Sequence, residues 1–196
     1  MYLRKNNYKR LVNVTKKLHE LAPAITTSLV DQLYKRRVHQ SIYVKELNCI
    51  YIPIPKVATK SFRKIFADYY CNIHSDQRFN IKKRKKWGLP FSEVSDKEID
   101  HFSDDVFIFS FVRNPYERVL SCYLDKIKTH SNYLGFLRYG NRFYKEMSFE
   151  DFLEEILKIP NDEADKHFRP QHCFLKNEDS LRPHFVGKLE NFSFDF

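Results

Sequence analysis

Two stretches repeat one hydrophobic and polar pattern: a short β-rich apolar run, a polar turn, then apolar residues at helical spacing. In the first, Ile50, Tyr51, Ile52 and Ile54 read as a buried strand that Pro53 and Pro55 bring to a stop. Phe62, Ile65, Phe66 and Tyr69 then predict one apolar helix face, with Lys60, Arg63 and Lys64 opposite. In the second, Val106–Val112 is almost wholly apolar, as expected of a central strand buried on both faces of a parallel sheet. Asn114 predicts a helix N-cap, Pro115 the first helical position and Glu117 a capping box, with Tyr116, Val119, Leu120, Tyr123 and Ile127 as the buried face. Ser148 predicts the start of an acidic helix that turns Phe152, Leu153, Ile156 and Leu157 inward and ends before Pro160. Residues 1–44 read as one or two basic helices whose apolar stripe, Leu11, Val14, Leu18 and Leu21, packs on the main domain. A membrane-surface helix is the second reading of that stripe.

The turn between the first strand and helix is Lys56-Val57-Ala58-Thr59-Lys60-Ser61. A strand entering a helix through such a loop aims unpaired N–H groups and the positive end of a helix dipole at one point, which suits an anion. The chain has four glycines, Gly88, Gly135, Gly140 and Gly187, and none lies here. A Walker loop and a dinucleotide fingerprint are therefore excluded. Charge supports an anionic ligand. Residues 1–86 carry a net +15 and residues 87–196 a net −6, so the candidate loop sits in the positive half. Nucleic acid is the generic alternative for such a patch. The run Lys82–Lys86 beside Trp87 reads either as a solvated loop or as a lip for an acidic acceptor with a stacking surface. Cys49, Cys71, Cys122 and Cys173 form no C-x-x-C pair, and Cys49 and Cys122 are expected as buried free thiols. His167, His172 and Cys173 match no common zinc spacing, so no metal is expected. The sequons at Asn13 and Asn191 matter only in a secretory pathway.

Pro-Lys at a strand end, followed by hydroxyl residues opening a helix, resembles the 5′-phosphosulfate loop of sulfotransferases that use 3′-phosphoadenosine 5′-phosphosulfate (PAPS). The run FVRNPYERVLSCY, Phe111–Tyr123, is similar to the same enzymes' 3′-phosphate motif, an Arg-x-Pro turn with a serine eight residues beyond the arginine. His167-Phe168-Arg169-Pro170-Gln171 and Val186-Gly187-Lys188-Leu189-Glu190 resemble later segments of the carbohydrate (Golgi-type) sulfotransferase family, its chondroitin-type branch in particular. The resemblance implies that Lys56 contacts the bridging oxygen, and that Val57, Ala58, Thr59, Lys60 and Ser61 hold the 5′-phosphosulfate. Arg113 and Ser121 would hold the 3′-phosphate. Ala58 and Lys60 depart from the family pattern, which has glycine and a hydroxyl residue there. His167 is the first choice for general base, with His74 and His101 as rivals.

The expected architecture is α/β: three layers, with a central parallel sheet between helices, as in the P-loop-like sulfotransferase fold. The domain is expected over residues 45–196, after the basic arm, and incomplete at its C-terminal end, where the resemblance runs further. PAPS is the expected co-substrate, a glycan the expected acceptor, and nucleic acid is not an expected partner. With no apolar run of about 20 residues and no signal peptide, a cytoplasmic, bacterial-type chain is favoured over a fragment of a Golgi-lumenal one. Two rival functions remain: a non-catalytic basic module for polyanionic glycan or nucleic acid, and a kinase-like nucleotide enzyme.

Overall fold

The computed structural model describes residues 17, 21–22, 40–74, 91–129, 134–177 and 180–192. The Lys82–Lys86 run, Trp87, the Asn13 sequon and the stripe residues Leu11, Val14 and Leu18 lie outside the described residues. Of these, residues 40–118 with 170–192 form one compact unit, and residues 119–169 another.

The first unit is built on a five-stranded sheet. Its strands are β1 (Gln40–Val44), β2 (Cys49–Ile52), β3 (Ser92–Ser95), β4 (Phe107–Val112) and a late strand (Phe185–Lys188), in the order β3, β1, β2, β4, late strand. The pairs β2–β4 and β4–late strand are parallel, whereas β1 runs antiparallel to both of its neighbours. The α/β class is as expected, but the sheet is mixed rather than wholly parallel. The cause is local. A tight turn over Lys45–Leu47 ends at Asn48 in the left-handed region (φ 46°, ψ 45°), which folds β1 back on β2 as a hairpin. Asparagine tolerates that backbone better than other residues with a side chain. Residues 40–44, expected in the helical arm, are therefore sheet.

Both sheet faces are buried. Helix α1 (Thr59–His74) covers one. There Phe62 and Phe66 pack with Tyr51, Phe109 and Phe111, the Tyr51–Phe62 and Phe62–Phe111 ring centroids lying 4.6 and 4.9 Å apart. Burying each such ring contributes about 1.5–3 kcal/mol. Ala67 is buried on this helix where Ile65 was expected, and Ile65 is exposed. Arg63, expected on the solvent face, pairs with Glu93 at 2.9 Å and sits over the Phe91 ring. On the other face Ile50, Val94 and Val106 meet Ile99 of the short helix α2 (Asp96–Ile99), whose capping box is made by Ser95 and Glu98. Cys49 and Cys122 are buried free thiols as expected, and burial pushes the Cys49 thiol up to about 11.

Helix α3 (Pro115–Tyr123) follows β4 and runs on into a wider π turn over Leu124–Thr129. Its buried side chains are Arg118, Cys122 and Tyr123, with Ile127 beyond, while Tyr116 (80% exposed) and Leu120 (41%) face outward, against expectation. The second unit has its own core, in which the tilted rings of Phe136, Phe143 and Phe152 pack with Phe168. Helix α4 (Phe149–Leu157) begins where expected, the Ser148 hydroxyl accepting from the Asp151 amide at 3.0 Å. Phe152 is buried, but Leu157 is 83% exposed.

Phe111 on β4 lies opposite Gly187 on the late strand. A Cβ at Gly187 would stand 2.3 Å from a Phe111 ring carbon, and that ring is fully buried against Phe62. Gly187→Ala should therefore destabilise the protein by about 1–3 kcal/mol through overpacking, read as a lower urea midpoint at unchanged slope. An unchanged midpoint would mean that the ring has room to move.

Candidate active site

The loop from Ile54 to Thr59 joins the end of β2 to α1, and each of its successive carbonyls is tied into the protein. The Ile54 carbonyl accepts from the Val57 amide and from the Thr59 hydroxyl, both at 3.1 Å. The Pro55 carbonyl accepts from Arg118 Nε at 3.0 Å. The Lys56 carbonyl accepts from Arg113 Nη1 at 3.4 Å, and the Val57 carbonyl from the buried Tyr51 hydroxyl at 3.5 Å. The Ala58 carbonyl accepts from the Ser61 and Phe62 amides, the first donors of α1. In a planar trans peptide the N–H points away from the C=O, so tying the Val57 and Ala58 carbonyls turns the amides of Ala58 and Thr59 the other way, while the Val57 amide is taken by Ile54. The amides of Ala58, Thr59 and Lys60 precede the helix's first donor and lie at the positive end of its dipole.

The backbone takes this path at a cost. Lys56 (φ 72°) and Ala58 (φ 46°) both occupy the left-handed region without being glycine. Such residues persist only where surrounding structure holds them, and they cluster at functional sites. Val57 between them is fully buried and acts as the loop's anchor in the core.

The second strand–turn–helix supplies that hold. Gln171 pairs with both backbone groups of Arg113: its Oε1 accepts from the Arg113 amide at 2.9 Å and its Nε2 donates to the Arg113 carbonyl at 2.7 Å. The side chain thus does what a neighbouring strand would do, one residue beyond the end of β4. The Asn114 amide donates to Glu190 Oε1 at 2.6 Å, while Asn114 Oδ1 caps α3 by accepting from the Tyr116 and Glu117 amides. The expected capping box is not formed in full. Glu117 turns to Arg113 instead, 3.1 Å from its Nη2 and 3.3 Å from its Nε.

The expected site residues therefore separate. Lys56, Val57, Ala58, Thr59, Lys60, Ser61 and Arg113 lie together in the first unit, joined by the Lys56 carbonyl. The Thr59 hydroxyl is already donated to Ile54, so it can only accept from a ligand, whereas Lys60 and Ser61 are exposed at the first turn of α1. Ser121 sits half-buried on α3 and belongs, like His167, to the second unit. His74 is the last residue of α1, and His101 is exposed in the turn after α2. Arg118, Gln171 and Glu190 were not among the expected site residues. All three stood inside segments that resemble a known family, which was their only signal.

His167 is set in a loop that closes on Asp165. The Asp165 side chain, fully buried, accepts from the His167 amide at 2.9 Å and lies 2.6 Å from His167 Nδ1, and its carbonyl accepts from the Phe168 and Arg169 amides. Arg169 donates to the Ala164 and Asp162 carbonyls, which closes the loop. An Nδ1–H directed at Asp165 leaves Nε2 as the acceptor, the tautomer a general base needs. Burial lowers the pKa of His167, against the opposing pull of Asp165, and Lys126 and Lys166 lower it further. Among the described residues no group of three or more His, Cys, Asp or Glu side chains could hold a metal ion, and no helix is long and apolar enough to cross a membrane.

A family model described as "Sulfotransferase family" matches residues 39–196. The chain belongs to that family, which makes it a transferase and sulfotransfer its general activity. No curated protein and no solved structure matches it.

Because the folded state depresses the His167 pKa below the ordinary 6.5, the unfolded chain binds a proton there that the folded protein refuses. That share of stability is complete above about pH 6.5 and is lost as pH falls through the lower folded value. His167→Asn should therefore flatten the fall in urea midpoint between about pH 7.5 and 5. Parallel curves for the variant and wild type would show that His167 titrates alike in both states.

Proposed function

We propose that the protein moves a sulfuryl group from PAPS to a hydroxyl of a carbohydrate acceptor. The observation that carries this reading is the loop between β2 and α1, whose carbonyls from Ile54 to Ala58 are hydrogen-bonded within the protein while the amides of Ala58, Thr59 and Lys60 precede the first donor of the helix. Family membership makes sulfotransfer the activity. PAPS as donor and a glycan as acceptor rest on the likeness of the two motifs to those of carbohydrate sulfotransferases.

In this reading the acceptor oxygen forms a bond to sulfur as the bond from sulfur to the bridging phosphate oxygen breaks. Adenosine 3′,5′-bisphosphate leaves with that oxygen, and the acceptor proton passes to a base. The transferred SO₃ unit is neutral, so the electrostatic demand falls on the leaving phosphate. Lys56 and the amides of Ala58, Thr59 and Lys60 are the groups for it, with the Ser61 hydroxyl beside them. Arg113 takes the 3′-phosphate, and Ser121 is assigned to it by the likeness of the motif alone. Arg113 meets that role with its Nη2 on the exposed Glu117 carboxylate, a surface pair that contributes little and that a phosphate can replace. His167 is the proposed base, since its hydrogen bond to Asp165 leaves Nε2 ready to accept the proton.

Calorimetric titration with adenosine 3′,5′-bisphosphate tests the donor site. Wild type should bind at about micromolar Kd, and Arg113→Ala should lose about tenfold to a hundredfold, the range for a hydrogen bond to a charged group. No binding by folded wild type would sink the PAPS reading and favour a basic binding module. Lys56→Ala should lower kcat by about a hundredfold to a thousandfold, as removal of one positioned donor does. Sulfation of a glycan by that variant at the wild-type rate would remove Lys56 from the mechanism.

A further inference from the structure

The side chain of Arg118 is only 4% exposed, and no step of the proposed chemistry uses it. Its Nε donates to the Pro55 carbonyl, and its guanidinium carbon lies 6.0 Å from the centre of the Phe174 ring. Pro55 is the second residue of the turn closed by the Val57 amide on the Ile54 carbonyl, and Lys56 is the third. Proline is the residue that turn favours second, and glycine the one it favours third when φ is positive. Here the third position carries Lys56 at φ 72°. The orientation of the Pro55–Lys56 peptide decides whether that φ is kept, because flipping it would convert the turn to one with Lys56 at negative φ and move the Pro55 carbonyl to the opposite face, away from Arg118. Arg118 holds the carbonyl on the inner side.

We propose that Arg118 is a positioning residue for the 5′-phosphosulfate end of the donor. It acts by locking the Pro55–Lys56 peptide so that the Lys56 side chain and the following amides stay aimed at one point. The proposal rests on the donor reading above. It assigns to a residue of the 3′-phosphate motif an effect on the opposite end of the nucleotide. Arg113, from the same motif, holds the next carbonyl with one nitrogen and offers its remaining donors outward, whereas Arg118 is buried and reaches the ligand only through the loop.

The test compares two nucleotides on wild type, Arg118→Lys and Arg118→Met, with thermal melts to confirm that each variant is folded at the titration temperature. Adenosine 3′,5′-bisphosphate carries both phosphates, and adenosine 3′-monophosphate only the one assigned to Arg113. Both variants should bind the bisphosphate about tenfold or more weakly, the loss of one charged hydrogen bond, yet bind the 3′-monophosphate as wild type does. Arg118→Lys keeps the charge and the aliphatic stem but lacks the Nε donor, so it separates loss of that bond from loss of charge. Equal weakening of both nucleotides would overturn the proposal and make Arg118 a general support of the fold. Unchanged binding of both would overturn it too. If wild type itself bound neither, the donor reading would fail first, and a 3′-monophosphate bound without any gain from the 5′-phosphate would fail the loop assignment.

Discussion

The hydrogen bonding of the carbonyls from Ile54 to Ala58 is the constraint on which the proposed anion loop depends. A peptide group presents its donor on the side opposite its acceptor, so a loop can offer amides to a ligand only if something else takes the carbonyls. Here the takers are a threonine hydroxyl, a tyrosine hydroxyl, two arginines and the first turn of α1. Glycine-rich phosphate loops reach a similar end by another route, since glycine adopts positive φ at no steric cost. This loop has no glycine. Its left-handed residues, Lys56 and Ala58, are held by neighbours rather than permitted by composition.

The second motif therefore does two jobs, and its electrostatics follow from both. Arg113 and Arg118 bring two guanidinium groups up to the loop that also carries Lys56 and Lys60. Like charges gathered this closely repel unless counter-charges are built in. Glu117 is placed against Arg113, and Glu190 sits at the start of α3, where its carboxylate meets the positive helix end as well as the Asn114 amide. Gln171 adds no charge, but by taking both backbone groups of Arg113 it fixes where that side chain begins. The cluster is thus tolerable without a ligand while Arg113 keeps an exchangeable, solvent-exposed partner.

The parts legible in the sequence were those set by local chemistry. The two strand–turn–helix units, the Asn114 and Ser148 caps and the inward Phe62 and Phe66 all follow from spacings shorter than ten residues. Three features were not legible. The antiparallel β1 depends on a hairpin that turns at Asn48, just beyond residues 1–44, which read as helical. The outward Tyr116 and Leu120 obey helical periodicity but on the wrong phase, because the buried Arg118 takes a position that a hydrophobicity pattern assigns to solvent. The buttresses Arg118, Gln171 and Glu190 act across 63, 58 and 76 residues of sequence, and no local pattern reports a partner that far away.

That distance explains why two motifs together identify the chain better than either alone. Read singly, Lys56–Ser61 is a strand-to-helix turn with lysines, and Arg113–Ser121 is a well-capped helix. Neither needs a ligand. In the fold, the second holds the first in shape, since the carbonyls of Pro55 and Lys56 accept from Arg118 and Arg113. The second in turn needs the late segments, because Arg113 and Asn114 are fixed by Gln171 and Glu190. Gly187 extends the same dependence into the core, since it leaves room for Phe111 one strand away. A chain carrying the first motif alone would retain the residues of an anion loop and lose the two arginine hydrogen bonds that brace its Pro55 and Lys56 carbonyls. Hydrogen bonds thus tie the four segments to one another, each holding backbone of the next.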